Sequence, residues 1–90
     1  MLRIETETDG GRMIIRLIGR IRSDCIEQVR ERVQSRASVV LDLTQVDLID
    51  LPSVRFLRDC QDQKIELRNC PHYILEWIQR ERAEDVISVF

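Results

Sequence analysis

The sequence predicts one α/β domain, with three helices mainly on one side of a mixed sheet of four or five strands. Three observations support this fold class. Ninety residues suffice for one small domain. Apolar residues recur with period two in some segments and with helical spacing in others. These segments follow one another in the order ββαβαβα. The domain is expected to span residues 1–90, with 83–90 as a flexible tail or an edge strand.

The first two strands are predicted to form a hairpin. Residues 2–7 alternate between apolar or neutral and charged side chains, which is typical of a half-buried strand. Asp9-Gly10-Gly11 supplies residues that tolerate the positive φ of a tight turn. Met13–Gly19 is more continuously apolar and β-branched, so the second strand is expected to be the more buried one.

A helix and a buried strand are predicted next. Ser23 or Asp24 is expected to cap a helix that runs from about Asp24 to Ser35, with one apolar stripe of Ile26, Val29 and Val33. The apolar run 38–43 then predicts a strand parallel to the previous one, because the crossover between them contains a helix. Residues 44–50 are interpreted as a connection.

The second half of the chain contains two further helices. Asp50 followed by Pro52 indicates a helix start, with the helix ending near Gln63. Residues 65–68 alternate as a short strand. Asn69 is the predicted cap of the last helix, which carries Pro71 in its first turn and closes at 79–82. The apolar tail 86–90 is then either a last edge strand or an oligomer contact.

Composition argues against several classes of partner. The net charge is −2, charges of both signs are interspersed, and aromatic residues make up 4% of the chain, so no nucleic-acid partner is expected. Apolar runs such as Val39–Leu41 are far too short to span a membrane. The N-terminal segment carries charges where a signal peptide would be apolar. We therefore expect a cytoplasmic protein with no membrane partner.

The order of elements and three local patterns resemble the STAS domain, the fold of anti-sigma-factor antagonists and stressosome components. The first pattern is the end of the second strand, residues 15–21, and the second is the run VVLDLTQVDLID at 39–50. The third is residues 54–57, on the apolar face of the helix that follows. Residues 65–70 also resemble the fourth strand, and the resemblance covers about residues 2–82. It implies a non-catalytic protein-binding module in signalling and transcription regulation. The implied partner is an anti-sigma factor or another STAS-type regulator, and no cofactor is implied.

The chain departs from this family at the phosphorylation motif. In regulated members an aspartate precedes Ser-Ser-Gly or Ser-Thr-Gly, and a partner kinase phosphorylates the second hydroxyl residue. Here Asp50 matches, but the triplet reads Leu51-Pro52-Ser53, with proline at the acceptor position. The usual phosphate switch is therefore predicted to be absent. In the alternative reading, Ser53 is a phosphoacceptor displaced by one residue. Partner binding is predicted at Asp50, Leu51, Pro52, Ser53 and Arg55.

Other chemistry receives little support from the sequence, and no catalytic, cofactor or metal site is expected. Asp42, Asp47 and Asp50 share one region but lack the late-strand lysine of a phosphoacceptor domain. His72 has no second ligand pair for zinc, and the three cysteines are expected to be small apolar residues. Two other functions stay open. In the first alternative, the chain is a self-associating structural subunit that contacts a second copy through residues 86–90. In the second, it is a small α/β ligand-binding protein.

Overall fold

A computed structural model describes residues 2–34 and 38–88 of the chain, with side chains up to residue 83. The predicted order ββαβαβα is confirmed, and the described sheet has four strands in the order β1-β2-β3-β4. In chain order the elements are β1 (Leu2–Asp9), β2 (Arg12–Ile21), a 3-10 turn (Ser23–Cys25), α1 (Ile26–Gln34), β3 (Val39–Ile49), α2 (Leu51–Asp62), β4 (Glu66–Arg68) and α3 (His72–Ser88).

The sheet is mixed because only its first pair is a hairpin. Strands β1 and β2 are antiparallel and joined at Gly10 and Gly11, whose φ angles of 59° and 84° are those that a two-residue hairpin turn needs. Strands β2, β3 and β4 run parallel to one another. Their parallel direction requires the crossover helices that the sequence predicts between them.

The core lies on one face of the sheet, between the strands and the three helices. Alternate residues of β2 and β3 point into it, and Leu17, Leu41 and Leu43 are fully buried. Each described helix adds apolar side chains to this same cluster, so the helices cover the same face. These helix residues are Ile26, Val29, Val33, Val54, Phe56, Leu57, Cys60, Ile74 and Ile78.

Strand β3 is longer than predicted, since residues 44–49 continue it instead of forming a connection. They pair with the end of β2 through a register that shifts between Arg16 and Ile18 and again between Gly19 and Arg20. Thr44 and Gln45 are both exposed, so the apolar run stops there although the hydrogen-bonded ladder does not. Such irregularities bend a strand and change which side chains face the core.

Helix α1 begins without the predicted serine or aspartate cap. A 3-10 turn occupies Ser23–Cys25, and the residue before it, Arg22, makes no side-chain capping bond. The backbone N–H of Ser23 instead donates to Asp50 Oδ2 at 2.8 Å. The cap prediction is wrong because a long-range partner satisfies this end. The predicted end at Ser35 lies outside the described residues.

Helix α3 also differs from its prediction at both ends. Asn69 has a positive φ of 55° and lies three residues before His72, the first residue of the helix, so it does not occupy the N-cap position. The carbonyl of Pro71 accepts from the N–H groups of Ile74 and Leu75 at 3.0 and 3.1 Å. The helix continues to Ser88, so residues 86–88 are not an edge strand. No glycine or proline follows Arg82 to end it. The remaining tail, 89–90, lies outside the described residues.

Candidate functional site

Asp50 fixes the point at which β3 ends and α2 begins. It is the N-cap of α2, as predicted, with extended backbone angles of φ −100° and ψ 171°. Its Oδ1 accepts from the backbone N–H of Ser53 at 3.1 Å and from the Ser53 hydroxyl at 2.5 Å. With the bond from Ser23 to Oδ2, one carboxylate holds together the helix start and the exit of β2. The start of α2 is therefore rigidly positioned.

The same bonds alter the acidity of Asp50. Burial raises its pKa, but the Ser53 hydroxyl, the N–H groups of Ser23 and Ser53 and the charge of Arg22 together outweigh burial. The net result is a pKa below the ordinary value of 3.8. Hydrogen bonds to the ionised form have this effect because they are lost when the carboxylate is protonated.

The lowered pKa predicts an acid-dependent contribution to stability. A carboxyl whose folded pKa is depressed stabilises the fold above its unfolded value, and this contribution is lost as the pH falls through the folded pKa. At pH 7 Asp50→Ala is expected to lower the free energy of unfolding by about 1–2 kcal/mol through loss of the cap. The difference from wild type should shrink as the pH falls below 3.8.

Urea unfolding at neutral and acidic pH measures this difference directly. Asp59→Ala is the matched control, since Asp59 is an exposed carboxylate on the same helix. A gap between wild type and Asp50→Ala that stays constant or widens in acid would contradict the assignment.

Ser53 and Pro52 occupy very different environments in the first turn of α2. Pro52 is exposed and has neither a hydroxyl nor an N–H. Ser53 is fully buried at 0% exposure, with its hydroxyl donated to Asp50. Its predicted role as a displaced phosphoacceptor stays a prediction, and this burial disfavours it because a kinase needs the hydroxyl to be accessible.

Apolar side chains surround the exposed part of the helix start. Leu48 is 54% exposed at the end of β3, Leu51 is half-buried, and Pro52 is exposed beside it. Arg20 and Arg22 are exposed at the end of β2, and they line a shallow concavity together with Ile21, Leu48, Ile49 and Asp50. We call Leu48, Leu51 and Pro52, with these two arginines, the junction surface. The sequence places Leu48 here, but not the arginines, which the parallel pairing of β2 with β3 brings alongside.

Two further contacts join α3 to this end of the molecule. The Tyr73 side chain is 45% exposed, and its hydroxyl donates to the Asp47 carbonyl at 2.9 Å. Arg55 Nε lies 3.0 Å from Glu81 Oε1, and the Glu81 side chain is only 8% exposed. The guanidinium of Arg55 is thus held against α3, whereas its predicted contact with a partner stays a prediction.

The other candidate groups do not form a reactive cluster. Among the described residues, no group of three or more histidine, cysteine or acidic side chains is placed to hold a metal ion. His72 is exposed and lies 2.8 Å from Glu76 on its own helix. Burial raises the pKa of the Cys60 thiol to about 12 and that of Cys70 to about 11. These two thiols therefore stay protonated at neutral pH and act as apolar side chains.

The fold of this chain matches that of known structures, although its sequence has no significant match. No protein-family model matches the sequence, and no curated protein matches it significantly. Among solved structures, the anti-sigma factor antagonist SpoIIAA in its unphosphorylated form superposes with a TM-score of 0.68 and 14% identity, over 100% of both chains. The chain has the STAS fold. The resemblance predicted from the sequence is confirmed at the level of the fold.

A second structural match comes from a much larger protein. The crystal structure of Mglu matches with a TM-score of 0.60 and 27% identity over 76% of this chain. This chain corresponds to only 19% of the length of Mglu. In the part of the chain that the structure describes, no helix is both long and apolar enough to cross a membrane.

Proposed function

We propose that this STAS domain is a non-catalytic protein-binding module that contacts its partner through the junction surface, without a phosphate switch. The observation that carries the proposal is the exposed Leu48 beside a helix start that Asp50 holds rigid. An exposed apolar side chain on a preorganised element gains burial on binding and loses little conformational entropy. Leu51 and Pro52 extend the same apolar contact.

The first turn of α2 supports the proposed absence of a phosphate switch. A phosphate at this position would add nearly two negative charges, which would be repelled or poorly solvated in an apolar interface. Pro52 has no hydroxyl, and the hydroxyl of Ser53 is enclosed and bonded to Asp50. The contact is therefore constitutive, with Asp50 and Ser53 as its support and Arg55 as a link to α3.

The partner is a protein of the class that STAS domains regulate. By analogy with the antagonist whose fold it shares, that partner is an anti-sigma factor or another STAS-type regulator in the cytoplasm, and the process is transcription control. The single domain of residues 1–90 is the binding unit. Arg20 and Arg22 at the rim favour a partner with carboxylates around an apolar centre, because charge complementarity at the rim raises the association rate.

Leu48→Asp tests this surface. Truncating an apolar residue at the centre of an interface, or replacing it by a charged one, costs about 2 kcal/mol or more of binding free energy. We therefore expect Leu48→Asp to lower the affinity about 30-fold. At an exposed site the free energy of unfolding should change by no more than about 0.5 kcal/mol. Calorimetric titration against the anti-sigma factors and STAS-type regulators of the same genome measures the affinity, and urea unfolding measures the stability.

The control and the opposing outcomes are well separated. Ala83→Asp places the same charge on an exposed position of α3, away from the junction surface, and should bind as wild type. Incubation with a bound kinase-type partner and ATP, followed by intact mass measurement, is expected to show no added phosphate. Binding that survives Leu48→Asp, or a phosphate on Ser53, would oppose the proposal.

A further inference from the structure

The sheet face turned away from the helices carries one charged residue from each strand in a single row. Glu5 of β1 pairs in register with Arg16 of β2, Arg16 with Asp42 of β3, and Asp42 with Arg68 of β4. The signs alternate from edge to edge as −, +, −, +. We call these four residues the charge row.

Contacts within the charge row are loose. Arg16 lies 3.4 Å from Glu5 and 3.7 Å from Asp42, and a third carboxylate, Glu7, is also 3.7 Å from its guanidinium. Arg68 approaches Glu66 at 3.4 Å. Glu5, Arg16 and Arg68 are each about one third exposed. Glu5 also has a shorter contact outside the row, since its Oε2 lies 2.8 Å from Arg3 of the same strand. These three charges thus face solvent, and the contacts of Arg16 with its two neighbours in the row are longer than those of strong bidentate pairs.

Asp42 is the most enclosed member, and it responds to both arginines. Burial raises its pKa, while the bonds from Thr44 and the charges of Arg16 and Arg68 lower it below the ordinary value. The Thr44 bonds use Oδ1, so Oδ2 is the oxygen that faces Arg16 at 3.7 Å. The charge row is therefore an electrostatically connected unit with a negative end at β1 and a positive end at β4.

The sign pattern determines which partner fits. A partner of one sign, such as a nucleic acid or an anionic membrane, would meet repulsion at every second strand. A 180° rotation about an axis parallel to the strands, between β2 and β3, exchanges β1 with β4 and β2 with β3. Under this rotation each charge faces one of opposite sign. A two-fold contact between identical surfaces is the common form of dimer.

We propose that two copies of this chain associate face to face through the charge row, around such a two-fold axis. Glu5 of one copy then faces Arg68 of the other, and Arg16 faces Asp42. Packed sheets commonly keep their strands aligned to within about 30°, which keeps the four pairs within reach. This contact is separate from the junction surface, so it neither requires nor excludes the proposed partner binding.

The row of paired residues next to the charge row, formed by Glu7, Ile14, Val40 and Glu66, limits the strength of the association. Ile14 and Val40 lie at its centre and are buried, while Glu7 and Glu66 lie at its ends. Rotation brings these two glutamates together, although each already has an arginine of its own chain, Arg16 or Arg12, at 3.7 Å. The row therefore adds little attraction. We expect a weak, reversible dimer that depends on salt, because exposed charges are screened over about 10 Å at 0.1 M.

Sedimentation equilibrium of the whole chain tests the association. At high protein concentration and low salt, the apparent mass should rise from 10.7 kDa towards twice that value. It should return to the monomer value at high salt. A chain that stays monomeric at low salt, or one whose self-association does not weaken with salt, would overturn the proposal.

A charge swap identifies the surface. Glu5→Arg places a positive charge opposite Arg68 of the other copy, and Arg68→Glu places a negative charge opposite Glu5, so each single variant should be monomeric. The double variant should recover self-association. Positions 5 and 68 are three strand spacings apart within one chain, about 14 Å, so a contact inside the chain cannot explain recovery. An equimolar mixture of the two single variants should also associate.

Arg80→Glu is the matched control, since it makes the same charge change on an exposed position of α3, and it should behave as wild type. Circular dichroism confirms that each variant is folded. Dimers that persist in both single variants would overturn the proposal. So would dimers that disappear only when residues 86–90 are removed, because the contact would then lie in the tail.

Discussion

Ser53→Asp is expected to lower the free energy of unfolding by about 3–5 kcal/mol, because it places an uncompensated charge in a buried position. Ser53 has 0% exposure, and its oxygen already lies 2.5 Å from Asp50 Oδ1. A carboxylate there would meet the Asp50 carboxylate at close range, and the nearby charge of Arg22 already acts on Asp50. Urea unfolding by circular dichroism measures the change, provided that the variant retains a cooperative transition.

Pro52→Asp is the informative comparison for this variant. It introduces the same charge one residue earlier, at an exposed position in the first turn of α2. A carboxylate in the first turn interacts favourably with the helix dipole, so a change within about 1 kcal/mol is expected. If Ser53→Asp were as well tolerated as Pro52→Asp, Ser53 would be accessible in solution, and the displaced phosphoacceptor would regain support.

This contrast bears on regulation as well as on stability. A phosphate is larger and more highly charged than a carboxylate, so a phosphorylated Ser53 would have to leave the core and release its bond to Asp50. That change would disrupt the start of α2 and the link to Ser23 at once. Phosphorylation here would therefore act by local unfolding of the junction surface, which differs from adding a charge to an intact surface.

Local sequence signals predicted the parts of the fold that local interactions determine. The hairpin follows from Gly10 and Gly11, which adopt the positive φ that the turn needs. The start of α2 follows from Asp50 and Pro52, whose capping role depends on residues within one turn. The continuation of β3 through Thr44 could not be predicted in this way, since it depends on pairing with β2, and the side chains there face solvent.

In the candidate site, too, the sequence predicts local features but not contacts between distant parts of the chain. Asp50 and the apolar residues after it were predictable because they are neighbours in the chain. Three other contacts join residues more than 20 positions apart, and no local pattern indicates them. These are the bonds from Ser23 to Asp50 and from Tyr73 to Asp47, and the ion pair of Arg55 with Glu81. Together they tie the start of α2 and the end of β3 to the residues after β2 and to α3.

Arg55→Ala is expected to lower the free energy of unfolding by about 2 kcal/mol, since it leaves Glu81 buried without its ion-pair partner. Removing one member of a fully buried pair costs about 3–5 kcal/mol, and the smaller value allows for the 53% exposure of Arg55. Arg55→Ala combined with Glu81→Leu should recover most of the loss, because no buried charge then remains. Urea unfolding of the two variants and of Glu81→Leu alone measures the coupling.

The same variants separate the two roles that Arg55 is assigned. If Arg55 acts only by holding α3 against α2, the double variant should regain partner affinity together with stability. If Arg55 also contacts the partner, the double variant should be stable yet bind more weakly than wild type. Unchanged stability in Arg55→Ala would show that the pair with Glu81 contributes nothing to the fold. The partner contact predicted from the sequence would then be the one role left for Arg55.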